Sequence, residues 1–158
     1  MKQPPFFEKR QRGVGLIEVL VAVLVLSIGF LGMGALLAKS LSTNNSAMAR
    51  SMATIASYSI MDAMRADYAS ASAGQYNTAQ PIKATACPDA SGSLANYQLN
   101  QWCQQLGNNL GKADSTTGAI ACTATGNNVD CTVTITFDDS RAGTGGSHTQ
   151  TVLTRGML

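Results

Sequence analysis

Glu18 stands at the head of 20 residues, Val19 to Ala38, that carry no charge at all. A carboxylate carried to the middle of a bilayer costs roughly 2.5–3.5 kcal/mol on insertion scales. A plain membrane anchor would be better without it, so Glu18 calls for a counter-charge close by. The other groups with reactive side chains lie far downstream. Asp138-Asp139-Ser140-Arg141 pairs two carboxylates, but it lacks the ligand spacing of a calcium loop and the partners of an acid–base site. We read it as a turn in which Arg141 folds onto an aspartate. His148 is the single histidine and has no neighbour with which to hold a metal. No glycine-rich phosphate loop, nucleophile–base pair or metal motif occurs, and no cofactor is expected.

Cys87, Cys103, Cys122 and Cys131 all fall in the second half of the 158-residue chain. An even count in a small Ser/Thr/Asn/Gly-rich region after a membrane segment reads as two disulfides formed in an oxidising compartment. A zinc site would want closer pairs such as C-x₂-C, and the sequence has none. Charge is unevenly placed. Lys2, Lys9, Arg10 and Arg12 against Glu8 put +3 on the first 13 residues, and the formal total of +2 leaves the rest near −1. Lys112, Arg141 and Arg155 are too few and too scattered for a nucleic-acid stripe, so no nucleic acid is expected as a partner.

The apolar stretch admits two ordinary readings. A secretory signal has a 7–15-residue apolar run and a small-residue exit; here the run is longer, and Gly32 to Lys39 continues with helical spacing. A transmembrane helix fits better, since 20 residues at 1.5 Å each cover about 30 Å of hydrocarbon. The basic flank then stays inside and the C-terminal region lies outside. Neither reading accounts for Glu18.

A basic leader, then Gly13-Val14-Gly15-Leu16-Ile17-Glu18 and an uninterrupted apolar run, resembles the processing motif of type IV pilins and their relatives. The resemblance implies that a prepilin peptidase cuts between Gly13 and Val14 on the cytoplasmic side and methylates the new amine of Val14. Where the family usually has phenylalanine this chain has Val14. Glu18 becomes the fifth residue of the mature chain, where the family keeps a glutamate for subunit assembly. Cleavage also creates a positive amine four residues before Glu18. In a stack of identical N-termini, the amine of a neighbouring subunit can serve as the missing counter-charge. The simpler alternative is that Glu18 is a helix N-terminal charge at the membrane boundary.

The elements that would position these groups follow from periodicity. No proline interrupts Val14 to Tyr68, and Gly29, Gly32 and Gly34 are the weak points of a single long helix. Beyond Lys39, Leu41, Met48, Met52, Ile55, Ala56, Ile60 and Met64 share a half-cylinder that is expected to lie on a globular domain. Ala69 to Ala86 reads as a loop. Leu99, Trp102, Cys103, Leu106 and Leu110 give a short second helix with Cys103 facing inward, able to reach Cys87. Residues 119–139 read as a hairpin turning at Gly126-Asn127-Asn128, with Val133, Ile135 and Phe137 alternating against threonines. That register places Cys122 opposite Cys131, although four cysteines allow three connectivities. Residues 148–155 are a third strand.

The expected fold is α+β, a pilin-like lollipop with a long N-terminal helix, membrane-spanning in its first half, packed on a small antiparallel sheet. The expected segments are a cleaved leader at 1–13, a transmembrane and assembly helix at 14–38, and an extracytoplasmic head at 39–158. Trp102 in its short helix and the Thr/Val strand ending in Asp138-Asp139-Ser140-Arg141 are similar, more loosely, to the PilV subfamily of minor pilins. That resemblance implies a non-catalytic subunit working with other minor and major pilins, the inner membrane and a tip adhesin in pilus assembly, twitching motility and adhesion. Two other functions remain open: a minor pseudopilin of type II secretion, and a pilin that binds DNA or an adhesive ligand.

Overall fold

The computed structural model describes residues 13–126, 128–140 and 146–158. Among the described residues the elements are α1 (Leu16–Ala66), α2 (Tyr68–Ser72), β1 (Ile82–Lys83), α3 (Leu94–Leu110), β2 (Thr117–Thr125), β3 (Asn128–Phe137) and β4 (Gln150–Met157). The fold class is α+β, a long N-terminal apolar helix with a four-stranded antiparallel sheet. The chain divides after Ala38 into two units.

The first unit is the apolar start of α1. Gly15 closes the first turn by accepting from the Glu18 N–H at 2.9 Å and the Val19 N–H at 3.3 Å. The helix then runs unbroken through Gly29, Gly32 and Gly34. Ser27, its lone hydroxyl before Lys39, donates back to the Val23 carbonyl at 2.7 Å, so even that group asks little of its surroundings.

In the second unit, α1 and α3 cover one face of the sheet. The strands form a meander in the order β1-β2-β3-β4, every pair antiparallel. Period-2 alternation turns Val129, Cys131, Val133, Ile135 and Phe137 of β3 inward, all at most 1% exposed. They meet Ala53, Ala56, Ile60, Met61 and Met64 of α1 and Leu99, Trp102 and Leu106 of α3.

The buried stripe of α1 keeps Ala56, Ile60 and Met64 of the expected set and is otherwise turned from it. Leu41, Met48 and Ile55 are exposed and Met52 is half-buried, whereas Ser46, Ala53, Ser57 and Met61 are buried. Small residues win this face because they bring the helix backbone close to its neighbours. The Trp102 indole, for example, donates to the Ala56 carbonyl at 3.0 Å. Ranking by side-chain size favours the methionines; close approach favours alanine and serine.

The segment 69–86 is also more ordered than a loop. It contains most of α2 and all of β1, and it buries Ala71, Tyr76 and Ala84. The Tyr76 hydroxyl donates to Asp67 and lies within hydrogen-bond reach of the Gln98 side-chain amide. Burial, then the hydrogen bond and negative charge of Asp67, hold its phenol well above the usual tyrosine range. α3 begins five residues earlier than its apolar spacing indicates, because Ser93 caps it by accepting from the Asn96 N–H at 3.1 Å. The hairpin turns at Gly126, whose φ of 62° suits glycine; Asn127 lies outside the described residues, as do the basic leader and Arg141.

Gly118 is set by packing. A Cβ there would lie 2.4 Å from Trp102 Cη2 and 2.7 Å from Leu106 Cδ1. Gly118→Ala is therefore expected to destabilise the head by about 1–3 kcal/mol through overpacking. Thermal unfolding of the full chain in detergent checks it, with a lowered midpoint as the expected result and an unchanged one counting against this packing.

Candidate functional site

Glu18 lies in the first turn of α1 and is exposed. Among the described residues it has no ion-pair partner; the ion pairs there are Arg65–Asp62 at 2.7 Å and Lys83–Asp114 at 3.2 Å, both in the second unit. Gly13 and Val14 precede the helix in non-helical backbone.

The side chains after Glu18 are exposed without exception up to Leu41. Val21, Leu24, Ile28, Leu31 and Leu36 range from 53% to 76% exposed. A helix of a water-soluble core would hide one face of such a stretch. Here an 18-residue window of mean hydropathy 2.6 has none of its residues buried, and α1 is long and apolar enough to cross a membrane. Charge confined to the first turn, ahead of a helix that is apolar on every face, is the geometry of a segment meant for lipid or for sister helices.

The motif itself decides what this end of the chain resembles. Residues 9–34 carry the prokaryotic N-terminal methylation motif. This motif is a type IV prepilin-like leader, and it takes in Gly13, Val14, Glu18 and most of the apolar run. It indicates a pilin or pseudopilin, a kind of subunit that a prepilin peptidase processes and that assembles with other pilins from a membrane-anchored state. Neither a curated protein nor a solved structure matches the chain.

The second unit supplies structure around its cysteines and carboxylates. Cys87 is joined to Cys103 with Cα atoms 5.5 Å apart, tying the segment before α3 to the inner side of that helix. Cys122 is joined to Cys131 with Cα atoms 4.1 Å apart, directly opposite one another in the β2–β3 ladder. Cys122 Sγ also lies 3.7 Å from Met64 Sδ, so the bridge packs on α1.

Asp139 is 5% exposed, and the Ser46 hydroxyl donates to it, so the carboxylate pins the end of β3 to α1. Asp138 accepts from the Ser140 N–H at 2.8 Å, the local bond of an Asx-type turn. The two carboxylates are thus parts of the scaffold. The aspartate–arginine contact expected there involves Arg141, outside the described residues. Asp114 sits below the usual carboxylate range because Thr85 and Lys83 donate to it, and Lys83 adds its charge. Among the described residues no three histidine, cysteine, aspartate or glutamate side chains come together as a metal site.

A cleft of about 470 Å³ lies between α1, the end of α3 and the end of β3, with Met48, Met52, Lys112, Phe137 and Asp138 on its walls. Sequence reasoning missed two residues that shape the head. Asn77 pairs by its side-chain amide with the backbone of Cys122, and nothing in its neighbourhood signals this. Ser46, like Ser57, is a buried hydroxyl on a mainly apolar face, legible only once the stripe is placed correctly.

Proposed function

We propose that this chain is a minor pilin of a type IV pilus, of the PilV kind, and that its work is structural. The observation that carries the reading is the conjunction at the N-terminus. Gly13 and Glu18, with four residues between them, precede an uncharged helical run, Val19 to Ala38, that is exposed on all sides, within a match to the methylation motif. In this reading the leader 1–13 is removed, residues 14–38 hold the chain in the inner membrane, and the head 39–158 faces the periplasm until the subunit enters the fibre. Partners are other minor and major pilins, the prepilin peptidase and a tip adhesin. The subunit primes assembly and so supports twitching motility and adhesion.

Processing tests the reading directly. The mature protein is expected to begin at Val14 with a methylated amine, and Gly13→Ala should slow the cut severely while leaving insertion intact. Intact-mass measurement of membrane-extracted protein reports both. A mature chain starting near Ala38 or Lys39 would mean a conventional secretory signal and would sink the proposal.

A minor pseudopilin of type II secretion is the second reading, because the same motif serves both systems. The proteins that co-purify from detergent-solubilised membranes separate the two: pilins and a large adhesin in one case, secretion-system components in the other. A pilin that itself binds DNA or an adhesive ligand has less support, since Lys112 lies in the loop after α3 and Arg155 on β4, and the two form no common stripe in sequence.

A further inference from the structure

The two long edges of the sheet are treated differently. On the β2 side the backbone is occupied by the chain's own residues. β1 pairs with Thr117 and Gly118. Beyond it, the Thr78 N–H donates to the Ile120 carbonyl at 3.0 Å, and the Ile120 N–H donates to Thr78 Oγ1 at 3.0 Å. Asn77 then imitates a strand with its side chain. Its Oδ1 accepts from the Cys122 N–H at 2.6 Å and its Nδ2 donates to the Cys122 carbonyl at 3.1 Å. That edge is closed.

The β4 edge is open. The Leu158 N–H donates to the Val129 carbonyl at 3.0 Å, and Val129 and Leu158 fall opposite one another when the β3–β4 register is continued by one residue. In an antiparallel ladder alternate residues point their backbone groups at the partner. Gln150, Val152, Thr154 and Gly156 therefore bond to β3, and Thr151, Leu153, Arg155 and Met157 turn theirs outward. Arg65 Nη2 reaches the Met157 carbonyl at 3.4 Å. Among the described residues nothing bonds to the outward N–H and C=O groups of Thr151, Leu153 and Arg155. The strand carries no proline, and its register with β3 is unbroken over eight residues. Bare edges usually carry a proline, a bulge or charged side chains, or are very short; of these devices β4 has only the single charge of Arg155. Leu153 and Met157 are also 60% and 63% exposed on the outer face. Arg155 lies between them, with its Nε donating to Thr132 at 3.3 Å and no ion pair among the described residues, although the register sets Asp130 opposite Met157, one diagonal away on the same face.

We infer that β4 is a docking edge for an extended segment of another polypeptide, which adds a fifth strand along Thr151 to Arg155. The edge also selects its occupant. Side chains on the outer face of the added strand would stand beside Leu153, Arg155 and Met157 in turn, so the partner carries apolar, acidic and apolar residues at every second position. A second copy of this chain paired symmetrically about Arg155 would set two arginines opposite each other, which cross-strand pairing disfavours. The inference does not depend on how the leader is processed.

The probe is an end-capped heptapeptide, SVTETVS, and a control with lysine in place of its glutamate, each titrated into the full chain in detergent. The glutamate peptide is expected to bind in the millimolar range or tighter and to slow amide exchange of Thr151, Leu153 and Arg155 selectively. The lysine peptide should bind at least about tenfold more weakly. Leu153→Pro removes an N–H that β3 does not use, so it should abolish binding while the amides of Val152 and Thr154 stay protected. Arg155→Glu should reverse the preference towards the lysine peptide, and it reads out the edge should Leu153→Pro disturb the fold. No saturable binding of the glutamate peptide, protection outside β4, an unchanged preference in Arg155→Glu, or a homodimer formed through β4 would each overturn the inference.

Discussion

Glu18→Ala is expected to leave the protein in the membrane, cleaved after Gly13 but missing from fibres. Insertion should be at least as good as wild type, because a charge costing roughly 2.5–3.5 kcal/mol at mid-bilayer is gone. Cleavage should largely persist, since the bond that is cut lies five residues before Glu18. Assembly is where the loss should fall. Glu18 has no ion-pair partner among the described residues of its own chain, and on the proposed reading its counter-charge in the fibre is the Val14 amine of a neighbour. With the carboxylate removed, the neighbour's freed Val14 amine is left buried and unpaired. Breaking such a pair costs about 3–5 kcal/mol, more than about a hundredfold in an assembly equilibrium. Glu18→Gln should fall between, retaining a hydrogen-bond acceptor without the charge. The measurement is the ratio of subunit in sheared fibres to subunit in membranes for the three proteins. Equal incorporation of Glu18→Ala would reduce Glu18 to a helix-end charge worth a few tenths to about 1 kcal/mol.

The second large effect concerns the head. Trp102 is 2% exposed, donates to the Ala56 carbonyl at 3.0 Å and fills the space that Gly118 leaves. It therefore joins α3, α1 and β2 through one side chain. Trp102→Ala should cost about 3–5 kcal/mol, the usual range for truncating a buried aromatic, and lower the thermal midpoint by about 10–20 °C. Trp102→Phe keeps most of the volume and loses the indole hydrogen bond, so its loss should be about half as large. Thermal unfolding of the full chain in detergent, followed by far-ultraviolet circular dichroism, distinguishes them. Equal stability for Trp102→Ala and wild type would mean that the three elements are held together elsewhere.

The α+β class, the single long helix and the β2–β3 hairpin were legible because each depends on periodicity over many residues. Val133, Ile135 and Phe137 could hardly alternate with three threonines in any arrangement but a half-buried strand. The prepilin-like leader was legible because its signal is local: a glycine, four residues and a glutamate before an uncharged run. The face of α1 was misread because hydrophobic size and burial part company where a helix must lie close to its neighbours. Ala53 and Ser57 are buried through smallness, and Met48 and Ile55 are exposed. The role of Asn77 was illegible for a different reason. Its partner is the backbone of a residue 45 positions away, and backbone groups leave no trace in a sequence.

The strand order β1-β2-β3-β4 bears on how the head comes into being. Each strand pairs with the one made immediately before it, and the disulfides close separations of only 16 and 9 residues. Contacts between near neighbours in the chain form quickly, with little loop entropy to overcome. If the head crosses the membrane as it is synthesised, Cys103 would meet Cys87 before either later cysteine emerges, and the hairpin would then bring Cys131 back to Cys122, so the order of appearance would favour these two bonds.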